Sequence, residues 1–188
     1  GACSPGTAPA YEAGLADRGA GLVSRMLAPP RDLVAILNAR ARHDRLLADR
    51  APVGAEATLA DGNTASAGDM IISRTNERRL VITATDWVKN GDRWSVTEAR
   101  DDGALHVVHT HTGRHLTLPG EYVREHVQLG YATTVHGGQG VTADTSHTVA
   151  TGEQSRQQLY VALTRGRAAN HVYLAVAGDG DEHSVITP

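Results

Sequence analysis

At 188 residues, 40% of them apolar, the chain is long enough for one domain of ordinary size, or one carrying an insertion, and for a buried core. Aromatic residues make up 4% with no Phe, so the core is expected to come from Ala, Val, Leu and Ile. The net charge of −3 excludes attraction to nucleic acid by overall charge, and of the 18 basic residues only Lys89 is a lysine, so any contact with phosphate must come from local clusters of arginine, hydroxyl and backbone groups.

Residues 1–20 are rich in Ala, Gly and Pro with weak helical character from Tyr11 to Arg18, and are expected to be loosely held. They contain Cys3, the single cysteine, which excludes an internal disulfide and fits a reducing cytoplasm. No signal peptide is legible and no apolar run approaches the roughly 18 residues of a membrane span, so a cytoplasmic location away from membranes is expected. The first residue is not Met, and the chain reads as an excised piece of a longer one. From Leu22 to Ala28 an apolar run predicts a strand. Pro29-Pro30 breaks it, and Arg31 to Arg50 then carries Leu33, Ile36 and Leu37 at helical spacing.

From about Gly54 the texture changes to short β-rich pieces separated by the turn dipeptides Asp61-Gly62, Asn90-Gly91, Asp102-Gly103 and Thr112-Gly113. Strands are predicted at Met70 to Ser73, Arg79 to Ala84, Arg93 to Glu98, Ala104 to His111 and Arg114 to Leu118, the pattern of a small SH3-like barrel. Pro119 to Glu125 predicts a helical turn. After Val127 helix and strand alternate again: a helix or turn at Tyr131 to His136, a strand at Ser146 to Ala150, a helix at Arg156 to Thr164 and a strand at His171 to Val176. Ser155 with Gln158 three residues on has the form of a capping box. The outer segments, 21–53 and 129–178, read as a parallel α/β layer interrupted by a β insertion at 54–128, with 179–188 as a tail.

Two segments carry chemistry. GYATTVHGGQG, beginning at Gly130, strings hydroxyls, an imidazole and an amide along a glycine-loosened turn where backbone N–H groups can approach an anion. LYVALTRGR, beginning at Leu159, ends a helix in Arg165 and Arg167. They resemble motifs V and VI of the RecD-like branch of superfamily 1 helicases, and Met26 to Leu33 (MLAPPRDL) resembles the strand-to-helix segment around motif IV. The order and spacing fit, and in that branch the second RecA-like domain carries an SH3-like insertion between motifs IV and V. Gly21 to Ala177 is similar in particular to the helicase region of actinobacterial conjugative relaxases of the TraI/TrwC (MobF) type.

The resemblance implies roles for named residues. Arg165 matches the motif VI arginine that reaches the γ-phosphate of ATP from the facing domain and stabilises transition-state charge; the structural alternative is an ion pair with a carboxylate at the helix end. Gln139 and Gly140 match positions that approach the nucleotide, and Arg31, opening a helix after Pro29-Pro30, is a further nucleotide candidate. Thr142 stands where related helicases carry an acidic residue for the ribose, which puts a ribose contact in doubt. Thr134 and His136, with Thr133, match the lining of a single-stranded DNA channel, where hydroxyls and rings meet phosphates and bases; alternatively they cap a local turn. Arg167 reads as a surface arginine. Trp87 and Trp94 with Lys89, Arg78 and Arg79 suit either a stacking surface for DNA or, for the tryptophans, the barrel core. His106, His109, His111 and His115 lack a cysteine or acidic partner at ligand spacing, and no metal site is expected.

No P-loop is present, because Lys89 is followed by Asn90-Gly91. The expectation is therefore a half-motor: the second RecA-like domain of an ATP-dependent 5′-to-3′ DNA helicase, acting with ATP and Mg²⁺ in a parent that supplies the upstream RecA-like domain. Single-stranded DNA and conjugation machinery are the expected partners, and the piece alone is expected to be inactive and to hold no cofactor. The alternative is a non-catalytic helicase remnant whose SH3-like module binds DNA or protein.

Overall fold

The computed structural model describes residues 7–28, 31–49, 54–135, 143–150, 152 and 154–174. In chain order the elements are α1 (Thr7–Gly19), β1 (Ser24–Ala28), α2 (Arg31–Asp49), β2 (Ala57–Thr58), β3 (Thr64–Ala65), β4 (Met70–Ser73), β5 (Glu77–Thr83), β6 (Asp86–Val88), β7 (Arg93–Ala99), β8 (Leu105–His109), β9 (His115–Leu118), α3 (Gly120–His126), β10 (Val127–Leu129), β11 (Ala132–Thr134), β12 (Ala143–Ala150), α4 (Arg156–Leu163) and β13 (Gly166–Leu174). They form two compact units, one from residues 1–33 with 133–188 and the other from 34–132.

The first unit is built on a sheet of order β11-β1-β12-β13. β1 runs parallel to β12, with Arg25 opposite Ser146, and β12 parallel to β13. Strand side chains alternate between faces. Ser24, Met26 and His147 meet α1: Gly14 lies against the Met26 and Ser24 side chains, and His147 Nε2 is 2.7 Å from Asp17 Oδ2. Leu27 and Val135 face the other way, packing with Ala162 of α4. The predicted capping box starts α4: the Gln158 N–H donates to Ser155 Oγ at 3.2 Å and the Ser155 N–H to Gln158 Oε1 at 2.9 Å.

The second unit contains a five-stranded antiparallel sheet of order β10-β4-β7-β8-β9, with short pairs β2-β3 and β5-β6. Trp94 is fully buried, donating from Nε1 to Ser73 Oγ at 2.8 Å, among Ile71, Val96, Leu105, Val107 and Leu118. The glycines of all four turn dipeptides have positive φ, the conformation for which glycine is suited. Asp69, fully buried, accepts from Arg42 Nε and Arg45 Nε at 3.0 Å each, from the Tyr131 hydroxyl at 2.6 Å and from the Ser66 N–H at 2.8 Å.

Three features differ from the sequence-based expectations. Thr7–Gly19 is a docked helix with Ala10 and Tyr11 buried, rather than a loosely held segment, because the sheet face it covers supplies the apolar contacts that its weak pattern does not advertise. Tyr131 to His136, expected to be helix or turn, carries the strand β11, since Thr and Val there are β-branched residues well suited to a pleated surface. The last strand starts at Gly166 rather than His171. The compact units divide at Leu33/Val34 and Ala132/Thr133, and most of α2 is tied to the second unit through Arg42, Arg45 and Asn38.

Candidate functional site

Arg165 lies between the C-cap of α4, Thr164, and the first residue of β13. Its Nε donates to the Val161 carbonyl at 2.9 Å and its Nη2 to Thr164 Oγ1 at 3.0 Å, while its own carbonyl accepts from the Ala143 N–H at 2.9 Å. The side chain is thus folded back on the end of its own helix, and among the described residues no carboxylate forms an ion pair with it. Gly166 keeps this turn tight, because a Cβ there would stand 2.0 Å from the Ala169 carbonyl oxygen. Arg167 is a surface residue as expected, its Nη2 2.8 Å from Asp144 Oδ1. The Val23 N–H and Arg167 together hold the Asp144 carboxyl below its ordinary pKa.

Beside Arg165 stands a residue that the motifs did not nominate. Arg25 is 2% exposed, and its Nε and Nη1 are buried without any hydrogen-bond partner. Its place follows from register: opposite Ser146, whose hydroxyl donates to the Ala162 carbonyl at 3.5 Å, it is on the α4 face of the sheet. Burial first, and the like charge of Arg165 second, pull its pKa down to about 10. A charged residue at an inward position of a strand otherwise flanked by Met26, Leu27 and Ala28 is the only signal the sequence offers for it.

The structure does not bring all the predicted residues together. Arg31, exposed at the first position of α2, follows the C-terminal end of β1, whereas Arg165 precedes the N-terminal end of β13, so the two lie beyond opposite edges of the parallel sheet. Thr133 is buried on the Val135 face and its hydroxyl has no partner, an orientation turned away from solvent; Thr134, on the other face, is half-buried. His136, Gln139, Gly140 and Thr142 lie outside the described residues.

In the second unit the two tryptophans have separate positions. Trp94 is core, while Trp87 on β6 is half-exposed with the Arg78 guanidinium 4.9 Å and the Lys89 ammonium 5.6 Å from its ring centre. Of the histidines of β8 and β9, His106 Nδ1 lies 2.9 Å from Thr117 Oγ1 and His109 Nδ1 2.9 Å from Thr112 Oγ1, and among the described residues no group of three ligating side chains could hold a metal ion.

Comparison with known proteins places this architecture. The fold is of the RecA-like α/β type seen in a solved Pif1 helicase, and it carries an SH3-like barrel. Residues 57–128 match the Rv2311 SH3-like barrel domain. The uncharacterized protein Rv2311 of Mycobacterium tuberculosis is 39% identical over 119 residues, 61% of this chain and 66% of that protein. The probable conjugal transfer protein TraA of Sinorhizobium fredii is 32% identical over 149 residues, 79% of this chain but 13% of TraA. Among solved structures, Pif1 helicase from Bacteroides in complex with ADP-AlF3 and ssDNA superimposes with a TM-score of 0.57 at 19% identity, over 81% of this chain and 40% of that one. The chain therefore spans less than two thirds of the length of each. No helix among the described residues is long and apolar enough to cross a membrane.

Proposed function

We propose that the chain is the second motor domain of an ATP-dependent 5′-to-3′ DNA helicase that serves conjugative DNA transfer. The observation that carries this reading is the Arg165 guanidinium, set at the end of α4 with its bonds going to its own helix end and to no described carboxylate. Bonds to the last carbonyls are what a helix-end arginine makes in any protein; what leaves Arg165 open to a developing negative charge is that among the described residues no carboxylate neutralises it. Support for the wider reading comes from the helicase-like fold and from the TraA similarity.

In this reading the parent's other motor domain carries the P-loop, and ATP with its Mg²⁺ supplies the free energy of unwinding. The residues present fit an anionic group, since Arg25 leaves two buried donors unbonded beside Arg165. Gln139 and Gly140 are proposed to approach the nucleotide, and Thr134 and His136 to contact single-stranded DNA. Thr133 is left as a packing residue by its burial, and Arg31 as a solvated helix-start residue by its distance along the sheet. The chain alone is expected neither to bind ATP tightly nor to hydrolyse it.

The test is Arg165→Ala in the complete parent. Unwinding driven by ATP should be lost, by a factor of about 10³ or more if the arginine acts on the transition state, while single-strand affinity stays within about twofold. Equal unwinding by variant and parent rejects the assignment. The second reading, a binding remnant, is favoured by one observation, the Trp87 ring flanked by Arg78 and Lys89. Such a surface would retain single-strand binding in this chain by itself and lose it on Trp87→Ala.

A further inference from the structure

A buried guanidinium without a partner is costly, since the desolvation penalty is several kcal/mol and no opposite charge offsets it. Nε and Nη1 of Arg25 are in that position, and the positive charge of Arg165 acts on them. A fold that holds two positive charges together over a sheet face has two resolutions: neutralise one of them, or receive an anion. Arg25 stays protonated at neutral pH, its pKa being lowered only to about 10.

Geometry says where the anion would sit. Arg25 faces α4 from the second position of β1, opposite Ser146. The backbone nitrogen of Ser146 lies 3.0 Å from where a Cβ on Gly166 would be, so the turn bearing Arg165 rests on the neighbouring strand. Leu27, Val135 and Ala162 close the apolar side of the same face. We propose that Arg25 and Arg165 together form a receptor for a phosphate group, Arg25 as the fixed, buried half and Arg165 as the half that swings out from the end of its helix. A phosphate suits the pair better than a carboxylate because it carries up to two charges and three acceptor oxygens, enough to engage two guanidinium forks.

This source assignment rests on the helicase reading: the phosphate is then the terminal phosphate of a nucleoside triphosphate. Arg25 thereby takes the place, as second cation, that the sequence motifs suggested for Arg31.

The experiment follows the arginine side-chain N–Hε NMR signals of this chain during titration with inorganic phosphate at constant ionic strength, with acetate as the control anion. Arg25 and Arg165 should move together along one saturating curve, with affinity several-fold higher than for acetate. In Arg165→Gln the Arg25 signal should lose its response while the backbone amide spectrum stays dispersed. Arg25→Gln should abolish the Arg165 response; if that variant does not fold, Arg165→Gln still decides. An Arg25 signal that does not saturate, or an equal response to acetate, overturns the phosphate receptor. The two readings separate cleanly. A phosphate response here with a parent that hydrolyses no ATP keeps the receptor and removes the motor, and no response here with an active parent does the reverse.

Discussion

Asp69 accepts hydrogen bonds from two arginines, a phenol and a backbone N–H while wholly shielded from water. Burial, and then the Asp69 charge, push the Tyr131 phenol above its ordinary range, so it remains a donor at all physiological pH. Removing the carboxylate takes the buried partner from Arg42 and Arg45, which keep only the more exposed Glu56 and Asp49 as acidic partners, and leaves the Tyr131 hydroxyl without its acceptor; the expected cost is about 3–5 kcal/mol for Asp69→Ala. Denaturant unfolding of the chain checks this, and a loss below about 1 kcal/mol would contradict the central role given to Asp69. Neither Asp69 nor Arg25 was legible in the sequence. Charged residues are mostly solvated; the apolar run beside Arg25 is a weak signal of its burial, and nothing within a few positions of Asp69 discloses that the fold buries it. Arg165 could be nominated from the sequence because its motif is a local run of nine residues.

Among the elements, α1 shows how a weak pattern can be overridden. Its sequence promises little helix, yet Tyr11 and Ala10 are buried and Asp17 contacts His147. His147 is itself set between the Tyr173 hydroxyl, 3.0 Å from Nδ1, and the stacked ring of His171. The Thr145 and His147 side chains hold the Asp17 pKa below its usual value. Because the folded-state pKa is the lower one, this contribution is complete above the unfolded value of about 3.9 and disappears as pH falls through the folded pKa. Hydrogen exchange at Tyr11 to Asp17 should therefore accelerate below about pH 4, and Asp17→Asn should remove that acid dependence. An acid limb unchanged in the variant would assign it to other carboxylates. α4, by contrast, could be read in advance, since Ser155 and Gln158 make a capping box from residues three apart and need no tertiary context.

Across the whole molecule the chain passes between its compact units at Leu33/Val34 and again at Ala132/Thr133. Asn38, buried near the first passage, holds the residue at the second: its Nδ2 donates to the Ala132 carbonyl at 3.2 Å and its Oδ1 accepts the Ala132 N–H at 2.8 Å. Asn38→Ala leaves both backbone groups unbonded, at about 1–3 kcal/mol. It should also raise hydrogen exchange at Thr133 and Thr134, whose side chains alternate between the two faces of β11. Unchanged exchange there would confine Asn38 to a local role. The amide is short and polar in a helix full of arginine and leucine, and only the folded chain shows what it bonds.

Local order was settled by the sequence itself. Turn dipeptides, the capping box, the run of short strands and the two motif segments are each decided by residues within a few positions of one another, where backbone sterics and short-range hydrogen bonds act. Pairings across long separations were left to the tertiary structure: Asp17 with His147, Asn38 with Ala132, Arg25 beside Arg165. Burial and charge proximity are properties of a packed sheet and its helices, and they exist only once distant segments meet. That is why the motifs named Arg165 and only the fold supplied Arg25.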